Sequence, residues 1–185
     1  MIHKNVEVLE GVRIFAAKQT SDIRGTFTKF ELVDLVKVES ISIALSNNPK
    51  KGTLRGMHFQ SAPFSEEKIV SCVQGAIFDI AIDLRPSSTT FGNWMSLEIN
   101  ALNSLHVVLP KGVAHGFQTL SSSCVVHYVL TNSFSPKHSM TINPFSIPGL
   151  EWPVKDYIVS DKDRAGMTFE VAARAYAESI KNQSK

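Results

Sequence analysis

Residues 52–60, GTLRGMHFQ, set Arg55, His58 and Gln60 in one short run. The imidazole of His58 can serve as a metal ligand, as a general base, or as a hydrogen-bonded side chain of a core. A second histidine, His115, lies in PKGVAHGF (110–117), just after a proline and a glycine able to turn the chain. Lys68 adds a cation close in sequence to His58. Burying His58, Lys68 and His115 together is costly without an anionic ligand or a carboxylate partner. The cluster therefore points to an acidic substrate.

The Pro-x-Gly-x-x-His spacing of 110–115 resembles the second motif of cupin barrels, whose histidine points into the barrel mouth. In metal-binding cupins the first motif supplies His-x-His and a glutamate. Here that stretch reads His58-Phe59-Gln60, with a glutamine, a poor metal ligand, in place of the second histidine. Glu66 and Glu67 follow closely, so two histidines and a carboxylate could still hold a metal, but a metal-free barrel is the favoured reading.

Short strands must position these groups. In AIFDIAIDL (76–84), Phe78, Ile80, Ile82 and Leu84 alternate with Asp79 and Asp83, the period-two pattern of a half-buried strand. Stretches 68–73, 95–99, 105–109 and 124–131 have similar length and β-branched or aromatic content. Gly75, RPSS (85–88), FGN (91–93), PKG (110–112) and SSS (121–123) separate them as turns. This rhythm predicts an antiparallel sandwich or barrel and disfavours a Rossmann-like sheet. FELVDLVKV (30–38) is a candidate short helix. In 168–180, Phe169, Ala172, Ala173, Tyr176 and Ile180 recur at helical spacing, which predicts a C-terminal helix laid on the sheet.

The chain has 185 residues, 43% of them hydrophobic and 19% charged, with a net charge of +2. These values predict one globular domain able to bury a core without staples. No basic block is present, which argues against nucleic acid as a partner. No apolar run reaches the ~18–20 residues that span a bilayer, and the first residues lack a signal-peptide core. A cytoplasmic protein without membrane partners is expected, with Cys72 and Cys124 as reduced core residues.

Several of these stretches occur in an order that resembles one family. GTLRGMHFQ, EKIVSCVQGAIFDIAIDLRPSSTTFGNW, LPKGVAHGFQTL and VSDKD, with DIRGTF (22–27) and the late WP (152–153), are similar to the dTDP-4-dehydrorhamnose 3,5-epimerases. The likeness runs from about Asp22 to Asp163. It implies a mainly β fold: a cupin-type double-stranded β-helix, or jelly-roll barrel, with an N-terminal β arm and a C-terminal helix. The single domain would divide into an arm with dimerisation strands (1–50), a barrel core (51–145) and a C-terminal segment and helix (146–185).

The resemblance also implies a homodimer that uses no metal and no cofactor and inverts centres flanking a sugar 4-ketone. The family's base falls on His58 and its carboxylate partner on Asp163. Lys68 matches the lysine near the enolate oxygen, and Tyr128 the acid that returns a proton on the opposite face. His115 falls in the same pocket, and Gln60 is counted with the substrate-binding residues. Arg55 is the expected phosphate ligand, with Asn48 a further nucleotide contact. Arg24 matches an arginine that reaches the neighbouring subunit's site. Arg55 and His58 would point to opposite faces of a regular strand, and a bulge at Gly56 would bring both inward.

The expected substrate is a nucleotide sugar, dTDP-linked first, with CDP and GDP linkage as alternatives. The pattern departs from the family around the sugar pocket. Phe134 stands where many members carry a second tyrosine, and the usual glutamate after it is replaced by KHS (137–139). Asn143-Pro144 replaces the usual Asp-Pro. Phe134 is therefore a candidate specificity residue. A single-centre 3- or 5-epimerase, one acting on another nucleotide or a longer sugar, a metal-dependent cupin enzyme and a non-catalytic sugar-binding cupin stay open as alternatives.

Overall fold

The computed structural model describes residues 2–4, 9–29 and 41–183, the first three as backbone. The helix expected at 30–38 lies outside these residues. Two antiparallel sheets form the body. One runs β1 (Ile2–Lys4), β9 (Trp94–Asn100), β8 (Ala76–Asp83), β11 (Val113–Thr119), β6 (Thr53–Gln60) and β13 (Ser139–Thr141), with β14 (Ile158–Val159) parallel to β6. The other runs β2 (Arg13–Ala16), β10 (Leu105–Leu109), β7 (Lys68–Gln74), β12 (Cys124–Leu130) and β5 (Ser42–Asn48). β3 (Lys18–Asp22) and β4 (Gly25–Lys29) form a separate hairpin. The protein is thus mainly β and of cupin type, as expected. Before residue 50, β2 pairs with β10 and β5 with β12, at the two edges of the five-stranded sheet.

The core between the sheets takes Val70 and Cys72 from β7, Ile77 and Ala81 from β8, Phe117 from β11 and Val126 from β12. Cys72 and Cys124 are free and buried, and burial pushes the Cys72 thiol up to about 12, which leaves it inert. A second core lies on the outer side of the seven-stranded sheet. There Leu54, Met57, Ile80 and Ile82 meet Trp152 and the C-terminal helix α2 (Phe169–Gln183). Ala172, Ala173 and Tyr176 are its buried residues, at the spacing expected, whereas Ile180 is 38% exposed. Each large apolar side chain buried here contributes about 1.5–3 kcal/mol.

The helix corrects the reading of β8 as half-buried. Phe78, Ile80 and Ile82 pack in the core that α2 covers, while Ile77, Asp79 and Ala81 point between the sheets. Asp79 is 1% exposed and Asp83 is fully buried. Alternation located the two faces of this strand, but the polar face is interior. Each aspartate is offset by a partner: Asp79 by His115, and Asp83 by Arg85 with Ser88 and Thr90.

Candidate active site

The open end of the barrel holds a cavity of about 350 Å³ between the two sheets. Arg55, His58 and Gln60 reach it from β6 and His115 from β11. Lys68 from β7 and Tyr128 from β12 face them from the five-stranded sheet. Phe134 stands on the rim, 69% exposed.

A bulge makes this convergence possible on β6. His58 pairs with His115 but Arg55 pairs with Phe117, so β6 carries one extra residue opposite β11. Gly56 supplies it at φ +113°, where a β-carbon would lie 2.6 Å from the Gly116 Cα and 2.7 Å from the His115 carbonyl oxygen. Arg55 and His58 consequently face the same cavity, as the sequence led us to expect. Gly112, at φ +84°, makes the turn before His115, and a β-carbon there would strike the Tyr176 hydroxyl at 2.5 Å.

Two histidine–aspartate pairs sit on the seven-stranded sheet. His58 Nε2 lies 2.7 Å from Asp163 Oδ1. Asp163 reaches this position because β14 pairs with β6 at Thr53 and Leu54 and leads directly into the short helix α1 (Asp161–Arg164). Ser160 caps α1 by accepting from the Asp163 amide at 3.1 Å, and Asp163 Oδ2 accepts from the Gly56 amide at 3.1 Å. Burial acts to raise the Asp163 carboxyl, but its bonds to His58, Gly56 and Ser160 outweigh this and hold it below the usual range. A carboxylate only accepts, so the proton on the His58 ring sits on Nε2 and the lone pair on Nδ1.

The second pair is His115 Nε2 with Asp79 Oδ1, also at 2.7 Å and buried on both sides. Burial raises the Asp79 carboxyl, with His115 opposing it. The half-buried strand pattern puts Asp79 on the solvent face, whereas it is 1% exposed. An aspartate flanked by Phe78 and Ile80 inside an apolar strand is the signal that could have marked it as a buried partner. The Tyr128 ring meets His115 edge-on with centroids 5.9 Å apart. Burial, reinforced by the charge on Asp79, holds the Tyr128 hydroxyl well above the usual phenol range, so it keeps its proton.

The remaining candidates have partners of their own. Asn48 is fully buried, and its Oδ1 accepts from Arg55 Nε at 2.8 Å, so it orients the guanidinium from behind. Gln60 lines the cavity, but its amide is engaged with Phe64, Glu66, Ser133 and Ser135. Arg24 lies on the β3–β4 hairpin, paired with Asp22, and does not line this chain's cavity. Lys68 Nζ lies 3.3 Å from Glu66 Oε1 and donates to the His58 carbonyl oxygen at 3.4 Å. Lys162, one residue before Asp163, lines the cavity and adds a cation that sequence reasoning passed over. Among the described residues no group of three or more His, Cys, Asp or Glu gathers to hold a metal ion.

Comparison with known proteins shows what the chain is similar to. The family model for dTDP-4-dehydrorhamnose 3,5-epimerase matches residues 7–170. The chain is 39% identical over 166 residues to the dTDP-4-dehydrorhamnose 3,5-epimerase of Shigella flexneri, covering 85% of this chain and 91% of that one. The structure of dTDP-6-deoxy-D-glucose-3,5-epimerase from Legionella pneumophila, in complex with dTDP-4-keto-L-rhamnose, superposes with a TM-score of 0.82 at 29% identity, covering 92% and 94% of the two chains. A 3'-monoepimerase from Streptomyces bikiniensis, in complex with dTDP-quinovose, gives 0.80 at 26% identity, covering 95% and 94%. With motifs, fold and extent in agreement, the chain belongs to the dTDP-4-dehydrorhamnose 3,5-epimerase family, a family of isomerases.

Proposed function

We propose that the protein is a cofactor-independent epimerase of a dTDP-linked 4-keto-6-deoxysugar, acting at C3 and C5 through an enolate. The observation that carries this reading is the placement of His58 and Tyr128 on opposing sheets of one cavity. Inversion needs a proton removed from one face of the sugar and returned to the other. His58 Nδ1 takes the proton alpha to the ketone, and Asp163 stabilises the imidazolium that forms. The electron pair moves onto O4, where Lys68 and His115 meet the developing charge. A donor so aimed typically lowers the barrier by about 3 kcal/mol. Tyr128 delivers the new proton from the opposing wall.

Arg55, oriented by Asn48, grips the diphosphate, with Lys162 beside it. We place the protein in the cytoplasm as a homodimer in which Arg24 enters the partner's cavity. The dTDP-sugars held by the Legionella and Streptomyces relatives support a dTDP-linked substrate. Phe134 at the rim and the likeness to a 3'-monoepimerase support a second reading, inversion at one centre only.

Incubation with dTDP-4-keto-6-deoxyglucose in D2O tests both. Deuterium at C3 and C5 is expected, deuterium at one carbon supports the single-centre reading, and deuterium at neither overturns the epimerase assignment.

A further inference from the structure

Gln60 is two residues along β6 from His58, borders the cavity, and is only 5% exposed. Its Nε2 donates to the carbonyl oxygens of Phe64 at 3.0 Å and Ser133 at 3.1 Å, and to Glu66 Oε2 at 3.1 Å. Its Oε1 accepts from the Ser135 amide at 2.7 Å. One amide thus grips the backbone on both sides of Phe134, whose own ring is largely exposed at the cavity rim. The same amide holds Glu66, whose other carboxylate oxygen faces Lys68.

The segment that carries Phe134 belongs to no strand or helix, so side-chain bonds replace a ladder in fixing it. Asn132 Nδ2 reaches the carbonyls of Pro63 and Ser65, and the rings of Phe64 and His138 pack 4.7 Å apart. These contacts join the 61–67 loop to the 131–138 segment, and Gln60 is where both meet the strand of the base.

We propose that Gln60 is a positioning residue that clamps Phe134 as the apolar wall of the sugar pocket, so that sugar affinity and specificity depend on an amide that does not itself contact the sugar. This rests on reading the cavity as an epimerase site. An aromatic ring held edge or face toward the pocket offers the C–H face of a hexose apolar contact and excludes water there. A loose ring offers neither. Substrate binding therefore weakens when the clamp is removed, while the His58, Asp163 and Tyr128 groups that move protons stay in place.

The test uses Gln60→Met, close in size but without the amide, alone and combined with Phe134→Ala. Steady-state epimerisation of a dTDP-4-keto-6-deoxyhexose and hydrogen exchange of the Ser135 amide are both followed. Gln60→Met is expected to raise KM roughly tenfold, leave kcat within about threefold, and speed exchange at Ser135. In the Phe134→Ala background the same change is expected to add less than about twofold to KM, because the ring through which it acts is gone. A full tenfold penalty in that background, or unchanged exchange at Ser135, overturns the proposal.

Should Gln60→Met not fold, Phe134→Ala alters only an exposed ring and must by itself raise KM about fivefold or more; an unchanged KM overturns the proposal equally. Absence of turnover in the unsubstituted protein defeats the epimerase reading instead, and exchange at Ser135 then still decides whether Gln60 is a clamp.

Discussion

His58 and Asp163 are 105 residues apart in the chain and 2.7 Å apart in the fold. The parallel pairing of β14 with β6 and the cap of α1 bring them together. The carboxylate fixes which ring nitrogen carries the proton and leaves the lone pair on the other, which the proposed base requires.

Asp163→Asn tests that link. The amide keeps the shape of the carboxylate but can donate to His58 Nε2, reversing the tautomer, and cannot stabilise an imidazolium. Deuterium exchange at the sugar carbons is expected to fall on the order of 10²–10⁴-fold, with dTDP affinity by calorimetry nearly unchanged.

Tyr128→Phe separates proton removal from proton return. The base survives, so some exchange of the C–H proton continues, while net inversion followed by NMR of the sugar is lost. Inversion at the unsubstituted rate would show that another group is the acid.

Acid stability should follow the buried carboxylates. Burial acts to raise Asp83, but its bonds to Arg85, Ser88 and Thr90 prevail and depress it below its unfolded value of about 3.9. A depressed carboxyl stabilises the fold above the unfolded pKa and loses that contribution as pH falls through the folded one. Asp163 acts in the same direction. Asp79 is raised, so its ionisation above about pH 4 works against the fold. Urea midpoints measured from pH 6 down to pH 3 should fall for the unsubstituted protein. Asp83→Asn should lose about 3 kcal/mol at pH 6, because it leaves Arg85 without its charge partner, and should show a flatter acid limb.

Gly56→Ala probes the bulge. The left-handed backbone and the 2.6 Å approach to Gly116 leave no room for a β-carbon. Destabilisation of about 1–3 kcal/mol is expected in denaturant unfolding. Activity should fall further than stability, since Arg55 and His58 depend on the bulge to share a face.

The sequence by itself determined the β architecture, the C-terminal helix and the family. Alternation, evenly spaced turns and ordered motifs are local properties, readable without knowing which strand neighbours which. It also marked His58, Lys68, Tyr128, His115, Arg55 and Phe134, which all come to one cavity. What only the tertiary structure decided was which polar faces are buried and which side chains meet. Period-two alternation separates the two faces of β8 but cannot tell that α2 covers one and the facing sheet the other, so Asp79 read as solvated when it is the partner of His115. Sequence also could not show which protein groups the amides of Asn48 and Gln60 meet: Asn48 lies behind Arg55, and Gln60 holds both sides of Phe134. The physical reason is that a hydrogen-bonding side chain serves whichever partner the fold brings within 3 Å, and that distance is set by pairings remote in sequence.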